Sequence, residues 1–155
     1  MKTRIKQING GVVNQECLKK IVELWNNNAI ETAECELDES DKKGIQEQIE
    51  QYIKSKYGVV FVAINENQQV IGYGIASMKQ DLVSNMLYGQ VDEIYVASEY
   101  RRQKVAKNLV DNLMNWFNQQ DISLVHVYVD LENELALEFW EKTGLNREFF
   151  ILSNN

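Results

Sequence analysis

Leu18, Ile21, Val22 and Trp25 recur at helical spacing, as do Ile45, Ile49, Tyr52 and Ile53, so each set forms one apolar stripe and predicts an amphipathic helix. Ahead of them, the alternation in Thr3-Arg4-Ile5-Lys6-Gln7-Ile8 predicts an edge strand, closed by the turn signal Asn9-Gly10-Gly11. Between the two helices, Ala29 to Lys43 is acidic and has no clean period, which predicts a loop or a short helix. From Val59 the pattern changes. Val59 to Ile64, Val70 to Met78 and Tyr88 to Val96 are β-rich, and Asn65-Glu66-Asn67-Gln68 turns the first pair into a hairpin. Ala106, Val110, Leu113, Met114 and Phe117 then mark a long helix, Leu124 to Val129 a buried strand, Asn133 to Lys142 a helix and Phe149 to Leu152 a last strand.

The predicted order is βααβββαβαβ. A strand, a helix and a strand between residues 88 and 129 imply a parallel pair joined by a right-handed crossover, appended to an antiparallel meander. The expected class is therefore α+β, a mixed α/β chain on a single central, mostly antiparallel sheet. No repeat, low-complexity tract or linker divides the 155 residues, so one domain over 1–155 is expected.

Composition narrows the function. The longest apolar run, Val59 to Ile64, is far short of the roughly 20 residues that cross a bilayer, so no membrane partner is expected. No apolar segment follows the basic start Met1-Lys2-Thr3-Arg4, which makes the cytoplasm the expected compartment. Cys17, Cys35 and the single His126 have no metal-ligand spacing, so reduced thiols and no metal are expected. A net charge of −7 argues against nucleic acid as a partner and leans toward cationic ligands.

One segment runs against that charge. Arg101-Arg102-Gln103-Lys104-Val105-Ala106-Lys107 holds four of the sixteen basic residues at the predicted start of a helix. A helix N-terminus already carries partial positive charge, so basic residues there cost a few tenths of a kcal/mol each. A bound anion reverses that balance, because the backbone N–H groups, the dipole and the arginines then all meet negative oxygen. The plainer alternative is a solvated basic patch paired with Glu99 or Asp111.

Val91-Asp92-Glu93-Ile94-Tyr95-Val96 followed by Glu99-Tyr100-Arg101-Arg102-Gln103-Lys104-Val105-Ala106 resembles motif A of the GNAT superfamily of acyl-CoA-dependent N-acyltransferases, with Arg101 and Ala106 at motif positions. A second family element is similar to Asn133, Ala136, Phe139-Trp140 and Gly144-Leu145. The resemblance implies helices on both faces of the sheet and a bulge that splays the parallel strand pair into a cleft. It implies acetyl-CoA as acyl-donor cosubstrate, held by the backbone of Ile94, Tyr95 and Val96. The N–H groups from Arg102 through Gln103, Lys104, Val105 and Ala106 to Lys107 would cradle its pyrophosphate, with Arg101 beside them. Asn133 would hold the pantetheine arm, and Trp140 would lie along it.

The same resemblance implies N-acetyl transfer to a primary amine of a small substrate, cationic amines among the candidates, and leaves a homodimer open. The amine is protonated at neutral pH and needs a base. Glu93 is the candidate, set against the plain reading of an exposed strand carboxylate; alternation sends Asp92 to the other face unless a bulge intervenes. An N–H of Tyr95 or Val96 would stabilise the oxyanion. Lys104 stands where the family has glycine, and Trp140 where many members place a tyrosine acid. Tyr128 or Tyr95 is the substitute acid, or the thiolate leaves unaided. These departures motivate the alternative of a catalytically degenerate acyl-CoA-binding sensor or subunit.

Overall fold

The computed structural model describes residues 2–9 and 15–154, so the glycines of the first expected turn lie outside the described residues. Strand β1 (Arg4–Gln7) is followed by helices α1 (Gln15–Ala33) and α2 (Glu39–Lys54). Strands β2 (Gly58–Ile64), β3 (Val70–Gln80) and β4 (Leu87–Val96) come next, then a short 3-10 turn (Ser98–Tyr100), α3 (Val105–Gln119), β5 (Val125–Val127) and α4 (Glu134–Lys142). The strands form one sheet in the order β1-β2-β3-β4-β5, with the first four antiparallel and β5 parallel to β4. This is the mixed sheet that the hydrophobic pattern predicts.

Alternation along β2 sends Val59, Phe61 and Ala63 to one face and Val60, Val62 and Ile64 to the other. Helix α3 covers the first face with Val105, Leu109, Leu113 and Phe117, joined by Trp140 of α4. Helices α1 and α2 cover the second with Leu18, Ile21, Val22 and Ile49. A strand buried on both sides has no polar face, which is why Val59 to Ile64 reads as a continuous apolar run. Gly89 on β4 is what lets α3 come close: a Cβ there would lie 2.5 Å from the Phe117 ring.

Three expectations are corrected. The strand expected to be buried over Leu124 to Val129 is only Val125–Val127 and half-buried, with Leu124 and Tyr128 exposed. The acidic stretch after Ala29 is mostly helix: α1 continues to Ala33 and α2 begins at Glu39. Its acids build the start of α2, where Asp38 Oδ1 accepts from the Asp41 backbone N–H at 2.8 Å and Asp41 Oδ2 accepts from the Asp38 N–H at 3.3 Å. The last strand, expected over Phe149 to Leu152, does not form. Among the described residues no regular element follows α4 and no backbone hydrogen bond ties 146–154 to the sheet.

Candidate active site

Strands β3 and β4 pair from Gly72↔Val96 to Ile75↔Glu93 and resume at Ala76↔Val91, so Asp92 is an extra residue without an opposite number. A β-bulge of this kind places two successive side chains on one face of the sheet. Simple alternation would have separated Asp92 from Glu93; the bulge brings both to the side covered by α1 and α2. Asn28 Nδ2 on α1 donates to Glu93 Oε1 at 3.0 Å. The Tyr52 hydroxyl on α2 and the Ser77 hydroxyl on β3 donate to Asp92 Oδ2 at 3.0 and 2.6 Å, and Gln90 Nε2 donates to Asp92 Oδ1 at 2.7 Å.

The two carboxylates are thereby given different chemistry. Asp92 has three donors holding its charge in place. Glu93 is partly buried with a single side-chain donor. Burial pushes its carboxyl up, the Asn28 amide pulls it back in part, and the neighbouring Asp92 charge adds to the rise, leaving it at about 7. The same Asp92, after burial, helps hold the Tyr52 hydroxyl at about 12.

The parallel pairing of β4 and β5 ends at this bulge. Strand β5 pairs with β4 only at Gly89, Gln90 and Val91, whereas β4 runs on to Val96. A bulge bends its strand and increases the local twist, which accounts for the separation just where Asp92 is inserted. Beyond it, Ala97 donates to Ile71 on β3, so the backbone of Tyr95 also faces β3 while Ile94 and Val96 turn their N–H and C=O groups to the unpaired side. The Tyr95 hydroxyl donates to Glu31 Oε1 at 2.7 Å and is held at about 12 by burial and then by Glu31.

At the end of β4 the chain enters the basic turn. Arg101 Nε donates to the Val96 carbonyl at 2.8 Å, its Nη2 pairs with Glu31 Oε2 at 2.7 Å, and its guanidinium lies 5.2 Å from the Tyr95 ring centre. Burial opposes ionisation of Glu31, but the bonds from Arg101 and Tyr95 outweigh it and bring the carboxyl below its ordinary value. Arg102 and Lys104 both adopt the left-handed conformation, at φ 64°. Lys104 is the N-cap of α3, makes no side-chain cap bond, and is followed by a first turn without an acidic residue. The N-termini of α2 and α4 are built in the usual way instead, with side-chain caps and acidic first turns.

Arg102, Gln103, Lys104 and Lys107 are exposed at this turn, Lys107 paired with Asp111 at 3.0 Å, while the Val105 side chain is buried in the core and Ala106 lies partly buried against it. Asn133 caps α4, its Oδ1 accepting from the Ala136 N–H at 3.1 Å. Trp140 is a core side chain, 5% exposed and in edge contact with Phe139. Tyr128 is exposed just beyond β5. A separate hollow of about 390 Å³ opens beside Arg101, lined by Leu24, Asn27, Glu31, Tyr95 and Tyr100 among others; Glu93 is not part of its wall.

Sequence reasoning missed Asn28, Ser77 and Gln90, and read Tyr52 only as part of an apolar stripe and Glu31 only as part of an acidic stretch. The signal for Asn28 was present, since it falls three residues after Trp25 on the apolar stripe of α1, where a polar residue needs a reason.

Comparison with known proteins bears on the fold and the family. No curated protein matches the sequence significantly. Among solved structures, an aminoglycoside acetyltransferase from an uncultured soil metagenomic sample, in complex with sisomicin, superposes with a TM-score of 0.77 at 16% identity, over 99% of this chain and 94% of that one. Aminoglycoside N-acetyltransferase AAC(6')-Iy in complex with CoA gives 0.81 at 16% identity, over 99% and 94%. A transcriptional regulator from Bacillus halodurans C-125 gives 0.82 at 15%, over 99% of each chain. At these identities the likeness is one of fold. The profile described as Acetyltransferase (GNAT) family matches residues 18–145, from the first helix through the bulge and the basic turn to the end of α4, and the chain belongs to that family.

Proposed function

We propose that this chain moves an acetyl group from acetyl-CoA to the primary amine of a small, cationic substrate, with Glu93 as the general base. The observation that carries the reading is Glu93 itself: a partly buried carboxyl held at about 7, on the bulge where β5 leaves β4. A base poised near neutral pH is ionised often enough to accept the proton of an ammonium group, directly or through water. Asp92 beside it, on the same face, adds a second carboxyl group near which a cationic acceptor would be favoured.

The thioester of acetyl-CoA supplies an activated acyl group; the free amine forms the new C–N bond to its carbonyl carbon as the C–S bond breaks, and the second proton left on the nitrogen passes to solvent as the thiolate departs. The unpaired N–H groups of Ile94 and Val96 are available to bind an extended chain as a further strand would, and that of Val96 to meet the oxyanion. The uncapped N-terminus of α3, with Lys104 left-handed and Val105 helical, forms a concave set of N–H groups suited to a pyrophosphate, and Arg102, Lys104 and Lys107 add charge around it. Asn133 uses its carbonyl oxygen as a helix cap, which leaves its amide N–H₂ for the pantetheine arm. Trp140 is buried in the core, and its indole N–H is a hydrogen-bond donor but not a practical proton source. Tyr95, held at about 12, is a poor donor to a thiolate whose acid has a pKa of about 8.5, so the thiolate leaves into solvent or takes its proton from Tyr128.

The test is thiol release from acetyl-CoA across a panel of diamines, aminoglycosides and amino acids. Turnover on a cationic amine, with kcat/KM rising through an acidic limb centred near pH 7, is expected. Tight CoA binding with no turnover on any amine would instead favour an acyl-CoA sensor, and failure to bind CoA would end both readings.

A further inference from the structure

Arg101, the first residue of the basic turn, directs its guanidinium into the protein. Its Nε donates to the Val96 carbonyl at the end of β4, its Nη2 pairs with Glu31 Oε2 on α1 at 2.7 Å, and the group lies over the Tyr95 ring. Glu31 is engaged from its other oxygen as well, since Oε1 accepts from the Tyr95 hydroxyl. The residue before Arg101 is tied to a different element: the Tyr100 hydroxyl accepts at 3.0 Å from Nδ2 of Asn65, a buried side chain in the turn between β2 and β3.

Two left-handed residues follow, Arg102 and Lys104. Backbone of this kind at residues other than glycine persists only where its surroundings fix it. The far end of the turn is fixed by Val105, 2% exposed in the core. The near end is fixed by Arg101, whose hold on α1 runs through Glu31. An ion pair as exposed as this one adds little to global stability by itself, so its effect falls on the geometry of the turn. For an anionic ligand, however, the Glu31 charge is adverse, because it sits beside the turn that would receive phosphate. Charge alone and positioning therefore predict opposite signs for the loss of this carboxylate.

We propose that Glu31 is a positioning residue for the acyl-donor side of the site: it holds Arg101 against the end of β4 and so keeps the backbone of 102–104 in the form that receives a pyrophosphate. This rests on the acyl-CoA reading above. Glu31→Gln keeps an oxygen for the Tyr95 hydroxyl and loses the charge that holds Arg101. It is expected to weaken CoA binding in calorimetry by roughly 5- to 10-fold and to raise the KM for acetyl-CoA to match. The urea midpoint and the acidic limb of the rate profile should stay in place, since Asn28 still holds Glu93. Arg101→Lys keeps a positive charge without the planar fork and should show the same loss, and the double variant should be no worse than either single one. Glu99→Gln removes a neighbouring carboxylate whose bond is to Ser98, and should leave CoA affinity unchanged or raised. In the ligand-free protein, hydrogen exchange at the amides of 102–104 should quicken in Glu31→Gln. CoA affinity unchanged or raised in Glu31→Gln, parental affinity in Arg101→Lys, or additive losses in the pair would each overturn the proposal. A parent chain that does not bind CoA would end the functional reading instead, and the ligand-free exchange would then decide the role of Glu31, with unaltered rates overturning it.

Discussion

Replacing Glu93 by Gln tests the electrostatics of the bulge without reference to any substrate. The Glu93 carboxyl rises from its ordinary 4.5 to about 7 on folding, so the native state favours its protonated form. The sign follows: below pH 4.5 the residue is protonated in both states and costs nothing. As pH rises toward 7 the unfolded chain releases the proton while the folded one keeps it, and stability falls; above 7 the full penalty applies. The gap corresponds to about 3 kcal/mol. Glutamine keeps an Oε1 acceptor for Asn28 and has no proton to lose, so Glu93→Gln should raise stability by about 2–3 kcal/mol at pH 8.5 and leave it nearly unchanged at pH 4.5. Urea unfolding of both proteins at the two pH values measures this directly. Asp92→Asn, which removes the neighbouring charge, should recover a smaller part of the same gain. An equal effect of Glu93→Gln at both pH values would mean that the carboxyl is not perturbed, and would remove the ground for treating it as a base.

Four other outcomes are expected. Glu93→Gln should lower kcat/KM by roughly 100- to 10,000-fold and abolish the acidic limb of the rate profile, a loss checked by initial rates against pH. Lys104→Gly exchanges a left-handed lysine, strained by about 1 kcal/mol, for a residue free to adopt φ 64°. Its melting temperature should hold or rise while calorimetry shows CoA affinity falling several-fold as the ammonium is lost. The Tyr73 hydroxyl is buried without a partner, and burial followed by the nearby Glu93 charge raises its pKa far above the ordinary value; Tyr73→Phe should therefore stabilise by about 1 kcal/mol in urea. Gly89→Ala forces a methyl against Phe117 and should cost about 1–3 kcal/mol in the same measurement.

Periodicity located every element that buries a continuous stripe or a continuous run. It failed where the inward side of an element is polar for a purpose. The second half of α1 offers Asn28 and Glu31 to Glu93 and to Arg101, so its apolar period stops at Trp25 and the helix looks like loop. The bulge was equally hidden, because an inserted residue has no composition of its own: Asp92 and Glu93 read as an alternating pair, and only the partner strand shows that one is supernumerary. Phe149 to Leu152 has the β-propensity of a strand but makes no backbone hydrogen bond to the sheet, and propensity alone does not supply one. Family motifs identified the basic turn, while the salt bridge from Arg101 to Glu31 depends on side chains seventy positions apart.

An added residue in an ordinary strand inverts every side chain beyond it, and so is seldom tolerated. The bulge at Asp92 absorbs its extra residue locally: Val91 still faces Ala76, Glu93 still faces Ile75, and the core on both faces keeps its register. A single extra residue thus marks where β4 parts from β5 and sets two part-buried acids side by side at that point.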